Sequence, residues 1–142
     1  MEAEVIWQLI LSALLGVLIG LEREYKRKSA GLRTFTLVCL GSCVFGILAQ
    51  ELFGGQRGDP TRVVQAIATG IGFLGGGMIF RTKKMIVGLT TASVLWISAA
   101  IGLAVGLKFY LVAILSTILT ILVLVGFSYV EKRFLESKQE NL

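Results

Sequence analysis

The chain has 142 residues, of which 55% are hydrophobic and only 16% are charged, and its mean hydropathy is +0.81. A soluble domain carries about 25% charged residues, so this composition excludes an ordinary soluble protein and indicates an integral membrane protein. The formal net charge of +5 would suit nucleic-acid binding, but the basic residues lie in short segments between apolar runs. That placement is typical of a topology signal, so we expect the lipid bilayer as a partner and no nucleic acid.

Five apolar runs follow one another with connections of roughly ten residues or fewer. This pattern predicts an all-α, polytopic membrane protein, folded as a bundle of five transmembrane helices with glycine-rich packing. The predicted spans are residues 5–21, 32–53, 63–80, 89–107 and 109–129. They form a transmembrane domain over residues 1–130, which a charged tail follows over residues 131–142.

Glycines recur at a spacing of four residues in the first, third and fourth spans. This spacing places them on one helix face, where the missing side chain lets a second backbone approach closely in lipid. The fifth span has no such pattern, so it should lie at the periphery of a core built from the first four. We predict helix packing at Gly16, Gly20, Gly72, Gly76, Gly102 and Gly106.

Two acids, Glu22 and Glu24, end the first span. A helix C-terminus carries partial negative charge, so these acids are unfavourably placed unless cations lie close by. One interpretation is an ion-pair network at one membrane face, with Arg23, Arg33 and Arg81 as the cations. The alternatives are that the two carboxylates bind or sense a hard cation such as Mg²⁺, or that they are simply solvated.

The third span begins after a glycine-rich turn that ends in Asp59 and Pro60. This pair signals a helix start, because the Asp side chain can accept hydrogen bonds from free amides and proline suits the first helical position. An outward-facing cation contact is the alternative for Asp59. Arg62 lies in the first turn against the helix dipole, where it should pair with Asp59 or with lipid phosphate.

Residues 70–77 of the third span include five glycines. In water this content would favour a loop, because glycine loses the most backbone freedom on folding. In a bilayer no water satisfies free backbone groups, so we predict that the segment stays helical and serves as a docking face.

A shift of 57 residues aligns the first two spans with the third and fourth. Gly20 then falls on Gly77, and Gly31 falls on Gly88 in a shared Gly-Leu-x-Thr pattern. This similarity predicts two parallel repeats of two helices each, with the fifth helix added outside. Coincidence between two glycine-rich apolar hairpins is the alternative.

Orientation follows from the positive residues. With five spans, eleven Lys and Arg residues fall on the side that holds the C-terminus, and three fall on the other. Basic residues concentrate in cytoplasmic loops. We therefore predict a multi-pass membrane protein with the N-terminus outside and the C-terminus in the cytoplasm.

Catalytic chemistry finds little support in this sequence. It has no His, and it lacks the GxSxG, HExxH and phosphate-loop patterns, so we expect neither an enzyme nor a resident cofactor other than Mg²⁺. The nine acids lie at span ends, in loops or in the tail, which weakens the case for a coupled transporter. Backbone carbonyls at a helix break over residues 75–77 keep a transporter or channel as the alternative.

Several blocks resemble the MgtC/SapB family of bacterial inner-membrane proteins. They are GLERE at 20–24, AGLRT at 30–34, DPTR at 59–62, GIGFLGGG at 70–77, and GLTTA at 88–92 followed by Leu95 and Trp96. The resemblance extends from Val5 to about Tyr129 and is to short members without the soluble C-terminal domain.

This resemblance implies a role in growth at low Mg²⁺ and in virulence adaptation. It also implies regulation of other membrane proteins, including the membrane sector of the ATP synthase or a small membrane peptide, and not the carriage of Mg²⁺. We therefore expect a regulatory, self-associating protein, as a homodimer or another homo-oligomer. A small transporter or channel for Mg²⁺ or another solute is the alternative.

Overall fold

The computed structural model describes residues 2–53, 59, 61–83 and 85–139. Five helices lie within this part of the chain: α1 (Glu2–Tyr25), α2 (Leu32–Phe53), α3 (Thr61–Gly77), α4 (Leu89–Gly106) and α5 (Tyr110–Gln139). Two short antiparallel strands, β1 (Phe80–Arg81) and β2 (Ile86–Val87), form a hairpin between α3 and α4. The all-α polytopic class is confirmed. The position predicted for Pro60 and the last tail residues, 140–142, lie outside the described residues.

Four of these helices, α1, α2, α4 and α5, are long and apolar enough to cross a membrane. The third predicted span, residues 63–80, ends earlier than expected, because α3 has 17 residues and ends at Gly77. The amides of Met78 and Ile79 close its last turn on the carbonyls of Gly75 and Gly76, at 3.1 and 3.2 Å. Three consecutive glycines are poor helix formers, so the helix ends there and the chain turns into the hairpin.

The final helix is longer than predicted. α5 continues to Gln139, so most of the charged segment that was expected as a separate tail extends the fifth helix. Glu, Lys, Arg, Leu and Gln are good helix formers, which favours this continuation once the helix leaves the apolar layer. The buried side chains of α5 include Ala113, Thr117 and Leu124, and its other apolar side chains are largely exposed. This exposure agrees with a peripheral position.

The core is built by α1, α2 and α4, with α2 packed between the other two. Gly16 and Gly20 of α1 lie against the α2 backbone: a Cβ at Gly16 would be 2.8 Å from the carbonyl oxygen of Phe35. On the other side of α2, Gly102 and Gly106 of α4 lie against the backbone carbonyls of Cys39 and Cys43. These four glycines therefore occupy the positions at which the helices approach most closely.

The packing predicted for Gly72 and Gly76 is wrong within the described chain. A Cβ at either position would meet no atom within 4 Å, and the buried residues of α3 are Ile71 and Gly75. Gly75 alone of the glycines in α3 comes close to a neighbour, the Ala92 side chain at 3.7 Å. α3 therefore touches α4 along a narrow edge, and its glycine face stays open.

The repeat predicted by the 57-residue shift is matched at the starts of α2 and α4. The carbonyls of Gly31 and Gly88 accept the amides of Phe35 and Ala92, at 3.2 and 2.9 Å. Gly88 has a φ of 95°, which favours glycine. The packing within the two helix pairs differs, because Gly20 lies against α2 whereas the corresponding Gly77 has no neighbour within 4 Å among the described residues.

Gln8 is a buried polar side chain that the sequence patterns do not single out. It is 1% exposed, and its Nε2 donates hydrogen bonds of 3.0 Å to the carbonyls of Val105 and Gly106. These carbonyls belong to the last turn of α4, where that of Val105 also accepts a hydrogen bond of 3.0 Å from the Lys108 amide beyond the helix. Gln8 thus caps α4 from α1. A lone amide inside the first apolar run is the signal that could have revealed it.

Candidate functional site

A polar cluster joins α1, α4 and α5 at the end of α1. Glu22 Oε1 lies 2.9 Å from Lys26 Nζ, and Glu22 Oε2 lies 3.7 Å from Arg23 Nη1. Arg23 is only 3% exposed, and its Nη2 donates to Thr91 Oγ1 of α4 at 3.2 Å. Lys26 Nζ also donates to the carbonyl of Leu124 on α5, at 3.1 Å. The cluster therefore ties three helices together through charges shielded from solvent.

Glu24 has a separate role from Glu22. Its Oε2 accepts a hydrogen bond of 3.1 Å from the amide of Leu32, the first residue of α2. Gly31 lies so close that a Cβ there would overlap the Glu24 carboxylate. A carboxylate at a helix N-terminus is favourably placed against the dipole, so Glu24 stabilises the start of α2.

The two acids predicted as a Mg²⁺ site contact different partners in the structure. Glu22 pairs with Lys26 and Arg23, and Glu24 accepts the amide of Leu32. In the described ranges no group of three or more His, Cys, Asp or Glu residues could hold a metal ion. Mg²⁺ binding at Glu22 and Glu24 stays a prediction, because Mg²⁺ can bind through one or two carboxylates and water.

The distant arginines of the predicted network lie elsewhere. Among the described residues the ion pairs of Glu22 are to Arg23 and Lys26, and neither Arg33 nor Arg81 takes part. Arg81 is exposed on β1, whereas Arg33 lies at the start of α2 beside a groove. The sequence indicated that cations lie close to the acids at the end of α1 but could not identify which cations contact Glu22.

Asp59 lies where a helix-starting residue is expected. Its Oδ1 accepts hydrogen bonds from the amide and the hydroxyl of Thr61, at 3.0 and 2.6 Å. These hydrogen bonds, with the nearby charge of Arg62, lower the pKa of the Asp59 carboxyl below its usual value. The carboxylate therefore stays ionised as the cap of α3.

A wide groove separates α2 from α3, and we call it the α2–α3 groove. Its volume is about 1190 Å³. Arg33 and Thr34 lie in its lining near the start of α2, and Asp59 and Arg62 lie near the start of α3. The remaining wall is mostly apolar, with contributions from Leu37, Val38, Phe45, Val63, Ile67 and Leu74.

A smaller groove of about 420 Å³ runs between α3 and α4, and we call it the α3–α4 groove. Gly72, Gly75 and Gly76 line it from α3, and Ala92 and Trp96 line it from α4. Trp96 is 54% exposed, so its side chain borders the groove and is not buried in the core. The open glycine face of α3 thus borders a shallow groove with an aromatic wall.

Comparison with known proteins gives a consistent family assignment. The model of the MgtC family matches residues 9–133. Curated relatives include the "Putative magnesium transporter YhiD" of Escherichia coli (strain K12), 41% identical over 130 residues, which cover 87% of this chain and 60% of the relative. "Protein SrpB" of Synechococcus elongatus is 36% identical over 138 residues, which cover 89% of this chain and 76% of the relative.

"Protein MgtC" of Brucella abortus is 47% identical over 93 residues, which cover 66% of this chain and 38% of that protein. The chain therefore spans about 60% of the length of YhiD and a smaller part of the Brucella protein. No solved structure matches the chain.

Proposed function

This chain belongs to the MgtC family, and from that premise we propose that it is a regulatory membrane protein linked to Mg²⁺ limitation and virulence adaptation. It acts by binding other membrane proteins, and it performs no catalysis. The observation that carries the proposal is the uncovered glycine face of α3 at Gly72 and Gly76.

Two sets of glycines in this chain differ in what surrounds them. Gly16, Gly20, Gly102 and Gly106 are covered by neighbouring helices of the same chain, whereas Gly72 and Gly76 have open space where a Cβ would stand. In lipid, small residues give close helix contacts by van der Waals packing. Phe73, between the two open glycines, is 84% exposed. The face therefore suits a helix supplied by another protein.

We propose three kinds of partner for this face. The first is a second copy of the chain, as a homodimer or another homo-oligomer. The others are a membrane subunit of the ATP synthase and a small membrane peptide, as the family resemblance implies. In this arrangement the protein lies in the bacterial plasma membrane with its C-terminus in the cytoplasm, which the excess of basic residues on that side supports.

Photocrosslinking in native membranes tests the docking face. We expect p-benzoylphenylalanine at Phe73 to form a discrete adduct with a membrane protein, and Gly76→Leu to abolish that adduct without unfolding the chain. The matched control is the same crosslinker at Phe127 of α5, which is also exposed, at 62%. The proposal fails if Phe127 gives the same adducts as Phe73, or if the Phe73 adduct survives Gly76→Leu.

Transport of Mg²⁺ or another small solute is the second candidate, which the name of the Escherichia coli relative favours. The α2–α3 groove, with a volume of about 1190 Å³, is the opening that such a path would use. Its arginines at both ends would repel a divalent cation, which argues against Mg²⁺ as cargo.

Flux measurements separate the two candidates. We expect purified protein in sealed liposomes that contain a Mg²⁺-sensitive dye to give no influx above protein-free liposomes, with ionophore as the positive control. The variant Gly41→Leu narrows the α2–α3 groove. Protein-dependent influx that this variant abolishes would instead establish transport.

A further inference from the structure

The α2–α3 groove has a lining that neither the packing of the chain nor the proposed docking face explains. Gly41 of α2 and Gly70 of α3 form part of it, and a Cβ at either position would meet nothing within 4 Å. The groove also lies on a different side of α3 from Gly72. Two residues correspond to about 200° around a helix, so Gly70 and Gly72 face nearly opposite directions.

Charge marks both ends of the groove. Arg33 is exposed at the start of α2, and in the described part of the chain it forms no ion pair. At the other end Arg62 shares the lining with Asp59, which lies three residues before it in the chain. The lining has no acid close in sequence to Arg33, which lies beside Thr34.

The length of the groove limits what can fill it. Along α2 the lining runs from Arg33 to Phe45, a distance of about 18 Å at ~1.5 Å per residue. A spanning helix needs about 30 Å of apolar contact, whereas the acyl chains of one leaflet extend over about half of that thickness. The groove is thus too short for a spanning helix and long enough for the acyl chains of one lipid whose headgroup lies at the Arg33 end.

We propose that the α2–α3 groove binds one anionic phospholipid. The phosphate contacts the Arg33 guanidinium and the Thr34 hydroxyl, and the acyl chains lie along Leu37, Gly41 and Gly70 between the two helices. Arginine suits this role because its planar fork of donors matches phosphate oxygens. The open glycines give the chains the width they need. The lipid therefore occupies the space between α2 and α3.

Native mass spectrometry of the full chain tests this binding. Phosphatidylglycerol and phosphatidylcholine with the same acyl chains are titrated separately into the delipidated protein in detergent. We expect one phosphatidylglycerol to be retained about five- to tenfold more tightly than phosphatidylcholine, because a cation near the headgroup favours the anionic lipid. Arg33→Gln should remove this preference. The matched control Lys28→Gln changes an exposed cation outside the groove lining and should keep it.

A second pair of variants tests the groove itself. Gly41→Leu fills the space without a backbone clash and should lower retention of both lipids at least fivefold, whereas Gly126→Leu on α5, where a Cβ also meets nothing within 4 Å, should have no effect. Gly70→Leu replaces Gly41→Leu if circular dichroism shows that the latter has lost helix content.

Three outcomes would overturn the proposal. The first is equal retention of the two lipids by the native chain. The second is unchanged retention in Arg33→Gln or in the filled variant. The third is a dimer of the delipidated chain that Gly41→Leu converts to monomer, which would assign the groove to a second copy.

Discussion

Replacing Gly102 by alanine is expected to lower the free energy of unfolding by about 2–3 kcal/mol, at the upper end of the range for overpacking in a core. The added Cβ would overlap the carbonyl oxygen of Cys39 and lie 2.8 Å from its Cα. These are backbone atoms of α2, so they cannot rotate away as a side chain could. The measurement is unfolding of the detergent-solubilised chain by titration with dodecyl sulfate, followed by circular dichroism.

The control for Gly102→Ala is Gly126→Ala on α5, where a Cβ meets nothing within 4 Å. Alanine is a better helix former than glycine by about 0.5–1 kcal/mol, so the control should be neutral or slightly stabilising. If both variants lost the same stability, the loss would not come from the contact between α2 and α4.

Replacing Arg23 by glutamine is expected to destabilise the chain by roughly 2–4 kcal/mol. Loss of one partner leaves a shielded charge uncompensated, which typically costs 3–5 kcal/mol when the partner is fully buried. Here Lys26 remains 2.9 Å from Glu22, which moderates the effect. The hydrogen bond to Thr91, which joins α1 to α4, is lost in the same variant.

A double-mutant cycle identifies the partner of Glu22. Glu22→Gln combined with Arg23→Gln should lose less stability than the sum of the single variants, by about 1 kcal/mol or more. Glu22→Gln combined with Arg33→Gln should be additive within about 0.5 kcal/mol, because Arg33 lies at the α2–α3 groove. Coupling of Glu22 to Arg33 and not to Arg23 would contradict the observed geometry.

Sequence patterns identified most of the close helix contacts. Gly16, Gly20, Gly102 and Gly106 were selected by their spacing alone, and each of them lies against a backbone of another helix. Spacing is informative here because in lipid a glycine face has one frequent use, which is close packing. At Gly72 and Gly76 the same rule does not find a neighbour within the described chain, since spacing defines a face but not the helix that covers it.

For the polar residues, too, the sequence predicts that a partner is needed and the structure identifies the partner. The first span was expected to need cations near its terminal acids, because acids at a helix C-terminus are unfavourable. Which cations satisfy Glu22 depends on how α1, α4 and α5 converge, and the structure gives this role to Arg23 and Lys26. The role of Gln8 could not be predicted for the same reason, since its partners at Val105 and Gly106 are distant in the chain.

Local properties of the chain are enough to predict a helical membrane protein of the MgtC family with glycine-mediated packing, because hydropathy, small-residue spacing and the family blocks each belong to one segment. The three-dimensional structure was needed to show that α2 lies between α1 and α4, that α3 leaves one glycine face and a wide groove open, and that Arg23 is buried. Those features depend on which distant surfaces pack together, and this follows from the packing energy of the whole bundle and not from any single segment.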